Sequence, residues 1–250
     1  AGAPADALAV GAEALNDVIA RHDGLRLRFP LVTGGTRKAV IAGPAAAAIS
    51  LGAVQPFDLE AGPLLSAELT GDPPATLTIT AHHLIVDGVS WRTLIGDLQT
   101  AYQARCEGRA PAFDAEAPSY VQWARALAAF AATPVAEAEA IYWLTEDWDR
   151  AATLPVAAQP LEAGLSGAGE VVFVVPLEAR PGHEIEAALL ASFANAIDPT
   201  ASGRALRVDL EGHGRALLPG ADGSSVIGWC AALYPVLLRI EGESPAAPAA

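Results

Sequence analysis

The sequence predicts a mixed α/β (α+β) fold carried by two halves of the chain. Three observations predict it. Apolar residues recur at helical spacing in some stretches and alternate at strand spacing in others, and the two kinds interleave throughout. Of the 250 residues, 52% are hydrophobic and 18% are charged, a balance that can bury a core. Residues 151–169 are rich in Ala, Pro and Gly without any period, and read as a linker between the halves.

From residue 5 to residue 21, Leu8, Ala12, Leu15, Val18 and Ile19 fall at helical spacing, and His22-Asp23-Gly24 supplies the stop. Residues 25–29 alternate apolar and basic side chains, as a half-buried strand does. After a loop at 30–35 come a short strand at 38–41 and an alanine-rich stretch to Ile49. Gln55-Pro56-Phe57-Asp58 and Ala61-Gly62-Pro63 read as turns, and 64–69 as a strand. Residues 76–81 place Leu77, Ile79 and Ala81 on one face and threonines on the other. Trp91, Leu94, Ile95, Leu98, Ala101 and Tyr102 mark an amphipathic helix ending near Gly108. Two more helices are expected over 120–131 and 135–143.

Beyond the linker, residues 171–175 form a continuous apolar run, the mark of a strand buried on both faces. Ile185, Leu189, Phe193 and Ile197 form a helical stripe. Leu206, Val208 and Leu210 line one side of a strand whose other side carries Arg207, Asp209 and Glu211. A last strand covers 236–240, and the Pro/Ala-rich tail 244–250 reads as a linker stub. The expected division is therefore a first lobe over 1–150, the linker 151–169, a second lobe over 170–243, and the stub.

Composition excludes several classes. Fifteen Lys and Arg against 29 Asp and Glu give a formal net charge of −14, so nucleic acid, which needs a basic surface, is not the expected partner. The apolar stretches are alanine-rich and interrupted, too broken to span a membrane. No basic n-region precedes an apolar block, so no signal peptide is expected. The sequence contains no methionine and reads as an excised piece of a longer chain. Cys106 and Cys230 are far apart and suggest no disulfide scaffold, so a reducing cytoplasm is the expected location. No Cys/His spacing fits a zinc site, and no nucleophile elbow or Walker loop is present.

Two motifs carry chemistry. In the first, a strand runs into His82-His83-Leu84-Ile85-Val86-Asp87-Gly88, followed by a helix. Extending the alternation puts His83 on the face of Leu77 and Ile79, so His83 is expected to be the more buried of the pair. A buried imidazole held at one nitrogen is a good general base near neutral pH. Asp87 can fix the loop by a salt bridge or hydrogen bond, or cap the helix. Gly88 is expected to permit a tight turn, and Trp91 to be a core residue. A structural role for the histidine pair is the alternative.

The string from His82 to Arg92 resembles the HHxxxDG motif of the condensation-domain superfamily of nonribosomal peptide synthetases. Its Val89-Ser90-Trp91-Arg92 continuation resembles the epimerization branch. The segment from Arg21 to Phe29, Pro56-Phe57-Asp58-Leu59 with Gly62-Pro63-Leu64-Leu65, residues 120–123 and Tyr142-Trp143 resemble further landmarks of that family.

The second motif is Glu211-Gly212-His213-Gly214-Arg215, at the end of an alternating strand. As a bare pattern it reads as a surface turn with a salt bridge. As a resemblance it is similar to the EGHGR string that separates epimerization domains from ordinary condensation domains. Val226-Ile227-Gly228-Trp229 and Leu233-Tyr234-Pro235-Val236 resemble the motif that follows. Ala216 departs from the family, where an acid is frequent, as does Cys230-Ala231, where an aromatic and a small polar residue are usual.

The resemblance spans about residues 12–240. It implies two chloramphenicol-acetyltransferase-like lobes with a tunnel between them, the second lobe incomplete because nothing after Ile240 matches the closing motifs. It also implies an aminoacyl or peptidyl thioester substrate on the phosphopantetheine arm of a carrier protein, with adjacent synthetase domains as further partners. No cofactor is expected on this domain itself. His83 and Glu211 would invert the α-carbon by proton transfer on its two faces, with His82, Asp87, Gly88, Trp91, Arg92, His213, Arg215 and Tyr234 in support. His82, a backbone N–H or water would stabilise the enolate oxygen. The rival readings are a peptide-bond-forming condensation domain and a non-catalytic lobe that binds carrier proteins.

Overall fold

The computed structural model describes residues 4–47, 56–71, 75–113, 116–151, 172, 174, 185–197, 205–216 and 223–239. The chain divides into two compact units. The first comprises Ala1–Ile141 together with Gly212–Ala232, and the second Tyr142–Glu211 with Leu233–Ala250. The described residues 212–216 and 223–232 thus group with the N-terminal half although strand residues of the second unit flank them in sequence.

In the first unit, helix α1 (Pro4–Arg21) lies against helix α3 (Gly88–Cys106). The apolar stripe read from the sequence is the reason. Ala14, Leu15, Val18 and Ile19 of α1 join Leu94, Leu98 and Ala101 of α3 in one buried cluster. Polar clamps secure the edges of this pair. Arg105 makes a bidentate contact with Asp17, both distances 2.7 Å. Arg21 and the buried His22 share Asp97 Oδ2 at 2.8 and 2.7 Å.

After α1, a 3-10 turn (Asp23–Arg26) leads into strand β1 (Leu27–Arg28), which pairs antiparallel with β2 (Val40–Ile41). A short helix α2 follows (Pro44–Ala47). Strands β3 (Leu65–Thr70) and β4 (Thr76–Ala81) form an antiparallel hairpin in register from Leu65↔Ala81 to Thr70↔Thr76. Leu77, Ile79 and Ala81 lean on the main core, as their alternation requires. Helices α4 (Tyr120–Ala131) and α5 (Pro134–Thr145) come next.

In the second unit, the last residues of α5 bring Trp143 against Trp148, stacked with centroids 5.8 Å apart, and Glu146 pairs with Arg239. Helix α6 (Ile185–Ile197) packs Ala194 onto Leu206 and Val208 of strand β5 (Ala205–Gly212), with Val236 and Leu238 of β6 (Ala232–Arg239) beside them. Strands β5 and β6 form one two-stranded sheet. The expected linker at 151–169 lies outside the described residues except for Ala151. Of residues 171–175, only Val172 and Val174 are described. Both lie outside any strand and are 74% and 94% exposed, against the expectation of a buried strand. An apolar run becomes a buried strand only where another layer covers it, and no described residue does so here.

Leu94 is fully buried at the α1–α3 contact. Leu94→Ala is expected to cost ~2–5 kcal/mol by loss of transfer energy and by the cavity left behind. Urea unfolding, read as a lower midpoint at unchanged slope, checks it.

Candidate active site

Strand β4 ends at Ala81, where the His82 N–H donates to Leu64 O at 2.8 Å. The chain then enters a 3-10 turn, His83–Ile85, for which His82 is the N-cap: its Nδ1 accepts the Leu84 N–H at 3.1 Å. The His82 ring stands edge-on to Phe57, with centroids 6.1 Å apart. His83 is exposed and its ring meets Trp229 edge-on at 5.7 Å, whereas His82 is half-buried. The expected order of burial is therefore reversed. Alternation of faces holds only while the strand continues, and this strand stops one residue before the pair. Ile85 and Val86 instead turn into the core.

Asp87 is 4% exposed and does both things the sequence left open. It caps α3 in a capping box with Ser90: Oδ1 accepts the Ser90 N–H at 2.9 Å, while the Ser90 hydroxyl accepts the Asp87 N–H. It also forms a bidentate ion pair with Arg215, Oδ2 to Nη1 at 2.7 Å and Oδ1 to Nη2 at 2.8 Å. The Ser90 hydroxyl lies 2.8 Å from Oδ1, and a fifth donor, the Cys230 N–H, reaches Oδ2 at 3.0 Å. Burial would raise the Asp87 pKa, but the Arg215 guanidinium, the Ser90 amide and hydroxyl and the Cys230 amide outweigh it and hold it at about 2.

Arg215 is 4% exposed, so the ion pair expected on a surface turn is buried. Its Nη2 also donates to Val226 O at 2.8 Å and to the Ser90 hydroxyl at 3.1 Å, and its Nη1 to His213 O at 3.1 Å. The His213 ring is exposed, with Nδ1 accepting the Arg215 N–H at 3.2 Å. Gly214, at φ 67°, passes so close to Cys230 O that a Cβ would sit 1.8 Å from it, and only glycine fits.

The same close packing continues downstream. Gly228 lies under the Tyr120 ring, where a Cβ would meet Cδ2 at 2.1 Å. Its N–H donates to the Ser90 hydroxyl at 3.1 Å, and the Tyr120 hydroxyl donates to Trp229 O at 3.1 Å. Tyr120 is itself fixed through its N–H, which donates to Asp23 at 2.8 Å. Burial pushes the Cys230 thiol up to about 12, with Arg215 opposing and Asp87 adding, so it stays protonated and inert.

Other expected site residues take simpler places. Gly88 opens α3 without a positive φ and with open space at its Cβ position, so no tight turn requires glycine there; the Asp87 cap makes the turn instead. Trp91 is half-buried against the main core, and Arg92 is exposed. Glu211 is an exposed residue of β5 and Tyr234 a half-buried residue of β6, both in the second unit, while His83, Asp87, His213 and Arg215 belong to the first. Sequence reasoning overlooked Ser90, Tyr120 and Gly228 as parts of this assembly. An acid followed three residues later by serine at a helix start was a readable sign of the Ser90 cap; the Tyr120 and Gly228 contacts had none.

A cavity of about 550 Å³ beside α1 is lined by Asp17, Arg21, Phe113 and Glu116 among others, and by none of the motif residues. Among the described residues, no group of three or more His, Cys, Asp or Glu is placed to hold a metal ion, and no helix is long and apolar enough to cross a membrane.

The Condensation domain family model matches residues 8–248, and the chain belongs to that family. It is 34% identical over 205 residues to a linear gramicidin synthase of Brevibacillus parabrevis, covering 76% of this chain and 3% of that protein. It is 30% identical over 269 residues to chondramide synthase cmdD of Chondromyces crocatus, covering 92% and 7% respectively. The chain thus spans a small part of the length of these relatives.

Among solved structures, the epimerization domain from the third module of tyrocidine synthetase B superposes with a TM-score of 0.67 at 20% identity, over 92% of this chain and 60% of that one. The X-domain from teicoplanin biosynthesis gives 0.67 at 23%, over 92% and 57%. The starter condensation domain of rhizomide synthetase gives 0.66 at 21%, over 93% and 58%. The mixed α/β fold is that of condensation domains.

Removing either partner of the buried ion pair leaves the other charge uncompensated. Arg215→Ala and Asp87→Ala are each expected to destabilise by ~3–5 kcal/mol, and the double variant by less than their sum. Denaturant titration of the cycle measures this. The pH dependence has a definite sign. The folded Asp87 pKa is depressed from 3.8 to about 2, so its ~2 kcal/mol is present above pH 3.8 and is lost as pH falls through about 2. The acid limb of the stability curve should lose this component in Asp87→Asn.

Proposed function

We propose that the domain epimerizes the α-carbon, L to D, of an aminoacyl or peptidyl thioester carried on the phosphopantetheine arm of a carrier protein. The observation that carries this reading is the Glu211-Gly212-His213-Gly214-Arg215 string, whose arginine is built into the HHxxxDG loop through Asp87. A surface turn held only by its own residues would have no such partner.

The chemistry requires little beyond two proton carriers. The thioester carbonyl acidifies the adjacent Cα–H by delocalising the carbanion as an enolate. One group takes that proton; the electron pair moves onto the carbonyl oxygen, and returns as a second group delivers a proton to the opposite face. His83 and Glu211 are the proposed pair. His83 suits proton transfer because its ring is exposed on a fixed turn. The domain supplies no cofactor in this scheme, and the carrier protein brings the tether. Adjacent synthetase domains are the other proposed partners.

A condensation reaction is the second reading. It is favoured by the equal likeness of the fold to a starter condensation domain, and it would use His83 without Glu211.

The test is deuterium wash-in at Cα of a carrier-bound aminoacyl thioester, with chiral analysis of the released product. The wild-type chain is expected to exchange the α-proton and release both configurations. His83→Ala and Glu211→Gln are each expected to lose exchange by about 10²–10⁴-fold with the fold intact. Retained exchange in either variant removes that residue from the mechanism, and peptide-bond formation without exchange selects the second reading.

A further inference from the structure

His82 and His213 stand next to the proposed proton carriers, one before His83 and one two residues after Glu211. Both rings are bound in the same way. The Leu84 N–H donates to His82 Nδ1 at 3.1 Å, and the Arg215 N–H donates to His213 Nδ1 at 3.2 Å. In each case the donor is the backbone amide two residues downstream. A backbone N–H can only donate, so in this geometry each Nδ1 presents its lone pair and the ring proton belongs on Nε2. A doubly protonated ring would have no acceptor left for the amide.

The two bonds do structural work at two decisive points. His82 is the N-cap of the 3-10 turn His83–Ile85, which sets the direction of His83. His213 closes the bend that delivers Arg215 to Asp87, and its own carbonyl accepts Arg215 Nη1 at 3.1 Å. Histidine is not among the favoured capping residues, and Asn, Asp and Ser do this task more often. We infer that His82 and His213 are positioning residues that act through Nδ1, and that neither takes a proton from the substrate. This rests on the reading of His83 as a proton carrier.

Geometry supplies the discriminating experiment. The Oδ1 of asparagine lies where Nδ1 of histidine lies, one bond from Cγ, whereas a glutamine side chain reaches the position of Nε2. The expected result is that His82→Asn and His213→Asn keep most of the exchange rate. His82→Gln and His213→Gln should lose about tenfold in kcat, because the proton carriers are then misplaced, with KM for the loaded carrier unchanged. Thermal unfolding of all four variants shows whether each still folds.

A second measurement is independent of activity. Long-range proton–nitrogen correlation spectra of the wild-type chain are expected to show both rings as the Nε2–H tautomer. Active glutamine variants beside inactive asparagine variants would make Nε2 the working atom and overturn the inference, as would a proton found on Nδ1 of either ring. Should the wild-type chain show no exchange while the spectra show Nε2–H at both, the proposed function fails and the assignment of the two caps stands.

Discussion

The paired contact between Asp87 and Arg215 is the constraint on which the rest of the first unit's site depends. It joins residues 128 positions apart in sequence, with both side chains 3% exposed. Around it, Ser90 accepts from Gly228 and caps α3, while Cys230 donates to the same carboxylate. Without the arginine, the carboxylate would be a buried charge with amide and hydroxyl donors alone. Without the carboxylate, the arginine would have carbonyls and a hydroxyl but no counter-ion. Each half is tolerable only because the other is present.

A buried ion pair adds little net stability over a well-packed apolar substitute, because desolvation consumes most of the attraction. Its value here is geometric. A planar guanidinium meets a carboxylate edge-on in one orientation, so the pair fixes the described residues around Arg215 against the N-terminal part of the same unit. Gly214 and Gly228 then allow the backbone of that segment to approach at distances no side chain would permit. The apolar contribution of Val226 and Ile227, both 1% exposed, completes the seating. Charge selects the place, glycine permits the approach, and apolar burial holds the segment down.

Much of this fold was legible in the sequence where one physical signal dominates. The alternation over 76–81 and the helix expected over about 120–131 correspond to β4 and α4. The stop at His22-Asp23-Gly24 ends α1 at Arg21. Legibility failed where a local rule was extended past its range or where the partner lay far away in sequence. Continuing the strand puts His83 inward, but the strand ends at Ala81. The bare pattern puts Arg215 on a surface turn with a salt bridge; its partner is instead the distant Asp87, and the pair is buried. For the same reason the motif residues were recognisable as a set by resemblance, yet the manner in which two of them meet was not. Patterning reports which face a residue takes, and says little about which distant residue it finds there.

The occupancy of each polar group also narrows where proton chemistry can reside on the first motif. The Asp87 carboxylate receives five donated hydrogens and stays ionised to about pH 2, so it is neither a proton source nor a free base at neutral pH. The His82 ring spends its lone pair on the Leu84 amide. Ser90 is consumed by the cap, by Arg215 and by Gly228. Among the described residues, the His83 ring alone in this motif's imidazole and carboxylate set takes part in no hydrogen bond, and it is the exposed one. Its position follows from the others: the cap at His82 turns the chain outward, the buried Ile85 and Val86 pull it back, and Asp87 anchors the end. The proposed role of His83 as a proton carrier needs a ring that is both held and unspent. On this loop the neighbours do the holding, and His83 remains unspent.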